Sequence, residues 1–349
     1  MDRSPSIVSN RRAPSGAARG RDVPTSARRI PCLDIGLVNN MPDAALKSTE
    51  LQFRNLLEAG AGDRLRVRIH YLAMREVARG EDIRAHMRGR YRDVCDVARI
   101  KLDALIVTGM EPRAKSLRDE PYWASLAQLA DWAECHTIST IWSCLAAHAV
   151  VLHLDGIERR PVGFKRSGVF DCARACDHPL LHGLAPNIQT PHSRYNEVHE
   201  EDLCRAGYRV LTRSPQAGVD MFVKDCGTCL FVFFQGHPEY EGMALLREYR
   251  RDVLRFLRGT CDLYPAVPLN TLAATLESEL VRFEARAKAK RAPELAAEMP
   301  ELGDGADTPP SWRQSAVLVY RNWLSYVAAA KLTRTPAHAV LMESHPCPM

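Results

Sequence analysis

The segment Thr137 to Gly156, TISTIWSCLAAHAVVLHLDG, limits the fold more than any other stretch of the chain. A short β-branched run stops at a cysteine, and a helical pattern of small and apolar residues starts at the next position. A strand that passes directly into a helix cannot pair with its successor through a tight hairpin. It needs a crossover, and that makes the sheet parallel. The same order recurs along the chain. "CLDIGLVNNM" (Cys32 to Met41) reads as a buried strand, and Leu46, Leu51, Phe53, Leu56 and Leu57 then mark a helical face. "LRVRIHYLAM" alternates as a strand. "YRDVCDVARIKLDALIVTGMEP" reads as a helix and then a strand ending at Gly109, and "YWASLAQLADWAECH" reads as a helix.

Alternation of this kind predicts an α/β fold, a parallel-core twisted sheet with helices on both faces. From "GVFDC" to "FVFFQGHPEY" the segments read as strands separated by turns, which predicts a mixed or antiparallel β extension. "ALLREYRRDVLRFLRG" is helical. "SAVLVYRNWLSYVAAAKL" is a final helix expected to pack back on the core, with Trp132, Trp142 and Trp323 as core residues. The expected organisation is a basic disordered tail (1–30), one domain over 31–335 with a flexible excursion at 285–310, and a loose end (336–349).

Composition removes several functional classes. The formal charge is +5, but residues 1–30 hold seven Arg against two Asp and so carry the whole excess. The balanced remainder gives no footprint for nucleic acid. No apolar run is long enough to span a bilayer, and the start lacks the apolar stretch of a secretory signal. Eleven cysteines without a regular framework fit a cytoplasmic chain with reduced thiols. The lone CxxC, Cys226 and Cys229, reads as a hairpin turn rather than half of a zinc site. His178 and His192 read as loop hydrogen-bonders, so no metal site is expected.

Chemistry in a parallel sheet collects at the carboxyl ends of its strands. Cys144 stands at such an end, where the free N–H groups and positive dipole end of the following helix converge. That setting favours the thiolate and offers the Leu145 N–H to an oxyanion. The alternative is a cysteine that only fills space in the core. A thiol nucleophile also needs a base. "FVFFQGHPEY" supplies His237 at the end of another β-rich run. Glu239, two residues on, could orient the imidazole and stabilise the imidazolium.

Taken together, "NNMPDAALKSTELQF", "STIWSCLAAHA", "TPHSRYNEV", "FQGHPEYEGMALLREYRRD" and "SWRQSAVLVYRNWLSYV" resemble homoserine O-acyltransferases of the MetA type. The resemblance covers roughly 33–260 and 311–327, and the family's fold is similar to that of class I glutamine amidotransferases. It implies Cys144 as the acylated nucleophile, His237 as base, Glu239 as its partner and Arg251 as the holder of the amino-acid carboxylate. It also implies Ser193 as a substrate-lining residue, Lys165 as a lysine near the active site, and an oxyanion hole made by the backbone N–H groups of Asn40 and Leu145. The implied reaction is ping-pong, with acyl-CoA as co-substrate, no permanently bound cofactor, homoserine as acceptor and methionine synthesis as destination. The family's tendency to dimerise comes with it.

The chain departs from the family pattern at several positions. "CLAAHA" replaces a "CWGAQA"-like run, so Ala146 stands for a glycine and His148 for a glutamine. The loop "MPDAALKSTE" is about two residues longer and shifts Lys47. In "TGMEPRAKSL", where glutamate accompanies acetyl donors and glycine succinyl donors, this chain has Arg113. A cation there would pair with a succinyl carboxylate. The expected donor is therefore succinyl-CoA, with acetyl-CoA as the alternative. A glutamine amidotransferase-like hydrolase and a non-catalytic interaction protein are the remaining rivals.

Overall fold

The structure is a computed structural model that describes residues 30–303 and 310–334. The expectations for the basic tail and for the loose C-terminal end fall outside these residues. Everything below belongs to one compact unit that begins at Pro31.

The parallel core is built from β1 (Cys32–Val38), β2 (Arg66–Ala73), β3 (Tyr91–Asp93), β4 (Ala104–Val107), β5 (Ser139–Ser143) and β10 (Leu230–Phe234). Its crossovers include α1 (Asp43–Ala61), α2 (Glu81–Met87), α3 (Trp123–His136) and α4 (Leu145–Asp155). The antiparallel wing consists of β6 (Arg160–Arg174), β7 (Asn187–Glu197), β8 (Arg209–Ser214) and β9 (Gly218–Asp225), with α5 (Glu200–Arg205) after β7. Among the described residues the strands form one ten-stranded sheet in the order β3-β2-β1-β4-β5-β10-β9-β8-β6-β7. The chain ends in α6 (Ala244–Leu257), α7 (Ala274–Ala289) and α8 (Arg313–Thr333).

Both faces of the core strands are covered, which is why these strands read as near-continuous apolar runs. On β10, Phe231 and Phe233 join one core with α3 and α4, while Val232 and Phe234 join the other with α1 and α8. That is the two-residue period of a strand. Trp323 on α8 is buried and donates its indole N–H to Ser139 Oγ at 2.9 Å, tying the last helix to β5. The Cys226–Cys229 stretch closes the β9–β10 hairpin, as its spacing suggests, with Cys226 N–H donating to the Cys229 carbonyl at 3.0 Å. Among the described residues no helix is long and apolar enough to cross a membrane.

Two segments differ from the sequence-based expectation. The region read as a helix before β4 is short β3 followed by a 3-10 turn, Val94–Arg99. The stretch 285–310 carries more structure than its charged composition suggests. Helix α7 continues to Ala289, a 3-10 turn covers Pro293–Glu298, and residues 304–309 lie outside the description. Leu280, Phe283, Ala287 and Met299 are buried against Val253, Phe256 and Leu257 of α6. The apolar face of α6 thus acquires a cover that a local reading of 285–310 cannot show.

Candidate active site

Strands β5 and β10 are adjacent and parallel, with Ser143 opposite Phe234. The residues that follow each strand must therefore emerge side by side at the carboxyl edge of the sheet. Cys144 emerges after β5 and donates its N–H to the Phe234 carbonyl at 2.7 Å. Its φ is 52° and its ψ is −111°. For a residue with a side chain, a positive φ costs roughly 1–2 kcal/mol. The sharp turn lifts the thiol out of the sheet and leaves it at the start of α4. Leu145 opens α4, so its N–H has no acceptor within the helix.

His237 emerges after β10. Its N–H donates to the Pro191 carbonyl of β7 at 2.7 Å, and its Nδ1 lies 2.9 Å from Glu239 Oε1. A carboxylate only accepts, so Nδ1 carries the proton, and the Cys144 side chain acts electrostatically on the ring. Both His237 and Glu239 are buried. Burial alone would lower the His237 pKa. The charges of Cys144 and Glu239, with hydrogen bonds to both, override it and hold the imidazolium well above the usual histidine range. The Tyr240 ring stacks on the imidazole at 4.2 Å between centroids.

Tyr240 links this pair to a second cluster. Its hydroxyl donates to Glu248 Oε1, and Ser193 Oγ donates to Glu248 Oε2. Lys165 Nζ lies 3.1 Å from Glu248 Oε2 and 2.7 Å from Asp252 Oδ2. Arg251 donates from Nε to Asp252 Oδ1 at 2.8 Å and keeps a partly exposed guanidinium. Desolvation would raise the Glu248 pKa, but the Lys165 charge and the Ser193 and Tyr240 hydroxyls bring it down to about 2. Lys165, Ser193 and Arg251 thus meet around Glu248 and Asp252. Glu248, Asp252 and Tyr240 were not singled out by the sequence. The available signal was the helical spacing on α6, since Glu248, Arg251, Asp252 and Arg255 share one face.

The remaining expectations fare unevenly. Asn40 is buried, but its N–H is committed to Thr108 Oγ1 at 2.9 Å, so this amide is not the free oxyanion donor expected. The side-chain Nδ2 of Asn40 is instead buried without an acceptor among the described residues. Thr108 in turn donates to the Gly109 carbonyl at 3.0 Å. Gly109 lies against the Cys144 turn: a Cβ there would sit 3.3 Å from the Leu145 nitrogen. Arg113 is exposed, and its N–H donates to Glu120 Oε1 at 2.6 Å. With Asn40, Met110, Glu120 and Tyr122 it lines a cavity of about 380 Å³ beside the turn. Arg159 is half-buried and interacts electrostatically with Tyr122, Glu120 and Cys144. His148 is a buried neutral core residue. Burial lowers its pKa to about 3, and Nε2 donates to Gln235 Oε1 at 2.8 Å. Lys47 is exposed on α1.

A parallel α/β sheet with a thiol, an imidazole and a carboxylate gathered at its carboxyl edge is an arrangement chemically able to move acyl groups. The family model described as homoserine O-succinyltransferase matches residues 21–334. Similar curated proteins include homoserine O-succinyltransferases from Bradyrhizobium japonicum (48% identical, covering 85% of this chain and 90% of that protein) and Rhodopseudomonas palustris (45%, covering 94% and 98%). The chain belongs to the homoserine O-succinyltransferase family. Solved structures of similar fold include a glutamine amido transferase from Methylobacillus flagellatus, with 18% identity, a TM-score of 0.47 and coverage of 85% of this chain and 95% of that one.

Proposed function

We propose that this chain transfers a succinyl group from succinyl-CoA to the hydroxyl of L-homoserine through an acyl-cysteine. One observation carries the proposal: a single tyrosine, Tyr240, joins the Cys144–His237–Glu239 set to a buried charged cluster suited to a free amino acid. Glu248 and Asp252 offer acceptors for an ammonium group. Arg251 and Lys165 offer donors for a carboxylate, and a planar guanidinium can grip one with two bonds. A bound amino acid would then hold its side-chain hydroxyl near the imidazole.

The thiolate of Cys144 attacks the thioester carbonyl, and the oxyanion that forms takes a hydrogen bond from the Leu145 N–H. The carbonyl re-forms, the carbon–sulfur bond to CoA breaks, and the His237 imidazolium gives its proton to the departing sulfur. Neutral His237 then takes the proton of the homoserine hydroxyl as the oxygen attacks the acyl-cysteine. The Cys144 thiolate leaves, and thiolate and imidazolium are both restored. Glu239 holds the proton-bearing Nδ1 and so keeps Nε2 on the reacting side. Splitting the transfer into two steps lets each acyl bond form at a thioester, which remains reactive towards an alcohol.

For the distal succinyl carboxylate, Arg159 is the better supported partner because its charge acts at Cys144, whereas Arg113 is exposed on the cavity rim. The test is turnover with purified protein and homoserine. The proposal expects CoA release from succinyl-CoA well above that from acetyl-CoA, with O-succinylhomoserine as product. Faster release from acetyl-CoA overturns the donor, and ammonia release from glutamine without CoA turnover overturns the reaction.

A further inference from the structure

The sheet carries a second concavity at the same carboxyl edge. It lies where the chain leaves β2 and is walled by that exit, by α2 and by β3. Its volume is about 600 Å³, and its lining includes Arg75, Arg79, Arg84, Arg88 and Arg92 against one acidic residue, Asp93. Three of the five arginines are already engaged, Arg84 by donating to the Arg79 carbonyl at 2.5 Å. Arg79 donates to the Asn39 and Met41 carbonyls and pairs with Asp43, and Arg75 pairs with Asp93 at 2.9 Å. Among the described residues no carboxylate pairs with Arg84, Arg88 or Arg92. Arg84 on α2, Arg88 at the end of that helix and Arg92 on β3 bring three exposed guanidiniums onto one groove, a concentration of positive charge that attracts an anion.

The groove adjoins the cavity lined by Asn40 and Met110, since Val77 and Ala78 line both. In the strand order, β2 is three places from β5. Neighbouring strands lie about 4.8 Å apart, so the exit of β2 is on the order of 14 Å from Cys144 across the sheet. This separation calls for a ligand with a reactive group at one end and polyanionic charge at the other.

We propose that the groove binds the phosphates at the nucleotide end of the acyl donor. Its pantetheine arm then runs over Val77 and Ala78, past Asn40 and Met110, to Cys144. The assignment rests on the acyl-CoA reading above and adds to it the place where the donor's affinity is generated. Arg84, Arg88 and Arg92 make charge-assisted contacts to phosphate oxygens, and Met74 and Met87 form the apolar part of the wall.

The test separates the two ends of the donor. Coenzyme A and pantetheine are titrated calorimetrically into the wild-type protein, the Arg84→Ala/Arg88→Ala/Arg92→Ala variant and the single variant Arg88→Glu, with thermal unfolding as a check on the fold. The triple variant is expected to lose at least about tenfold in affinity for coenzyme A. Affinity for pantetheine is expected to be unchanged. Wild-type affinity for coenzyme A is expected to fall with salt more steeply than the variant's. Coenzyme A affinity within about twofold of wild type in both variants, or an equal loss for pantetheine, overturns the proposal. CoA release from succinyl-CoA by the wild-type protein shows separately whether the acyltransferase reading stands. If the wild type turns over and binds coenzyme A while the variants match it, only the groove is wrong. If the wild type does neither, both fall.

Discussion

Gly236 precedes the proposed base, and replacing it by alanine tests how that base is held. A Cβ at Gly236 would lie 2.5 Å from Asp220 Oδ1, 2.6 Å from Thr190 Cγ2 and 3.0 Å from His192 Nε2. None of the three can retreat cheaply. Asp220 is buried, and its Oδ2 accepts from Thr212 at 2.8 Å and from Thr190 at 3.2 Å; His192 is buried beside it. The backbone on either side is pinned too, because Gln235 N–H donates to the Asp220 carbonyl at 2.8 Å and His237 N–H to the Pro191 carbonyl at 2.7 Å. Overpacking a core by one methyl costs about 1–3 kcal/mol, and contacts this short at rigid groups place Gly236→Ala at the upper end. The loop can yield only by moving His237. A displacement of an ångström at a reacting group costs on the order of a hundredfold in rate. The assay is urea unfolding together with kcat/KM for succinyl-CoA. Gly207→Ala is the control, since its φ of +83° costs about 1 kcal/mol but no atom lies within 4 Å of the added methyl. Wild-type stability and activity in Gly236→Ala would refute the claim that this packing positions the imidazole.

Four further outcomes follow from the site. Glu239→Gln removes one of the charges that hold His237 protonated, so the alkaline limb of kcat/KM should move to lower pH; an unmoved limb contradicts the pairing. Since the folded pKa is the raised one, the stability this pairing gives is complete below the ordinary histidine value and is lost as pH rises through the folded value. The stability gap between wild type and Glu239→Gln should therefore be widest in acid and narrow towards alkaline pH. Glu248→Gln should raise KM for homoserine by at least about tenfold while succinylation of Cys144 in a single turnover proceeds at the wild-type rate, and slowed acylation would place Glu248 elsewhere in the mechanism. Arg159→Ala should weaken use of succinyl-CoA by about tenfold relative to acetyl-CoA, more than Arg113→Ala does; equal effects on both donors would remove Arg159 from donor selection.

The parts of the site written into a local pattern were legible in the sequence. Cys144 is visible because a β-branched run meets a helical one at that residue. His237 is visible because a Gly-His-Pro turn ends the strongest β run of the chain. That the two turns adjoin is a matter of strand order, since β10 slots beside β5 although the whole antiparallel wing separates them in sequence. Glu248 and Asp252 look like ordinary solvated residues of an amphipathic helix until β6 and β7 bring Lys165 and Ser193 to their face. Asn40 was misassigned because only the folded chain puts the Thr108 hydroxyl within reach of its amide. The packing of residues 285–303 was not legible because it is made against α6, to which they have no local sequence link.

The central claim concerns a covalent bond, so the most direct measurement is the mass of the protein after brief exposure to succinyl-CoA without acceptor. The account predicts one succinyl group on the peptide containing Cys144, lost when homoserine is added and never formed in Cys144→Ala. Transfer to homoserine that persists in Cys144→Ala, or a succinyl group found only on another cysteine, would contradict it.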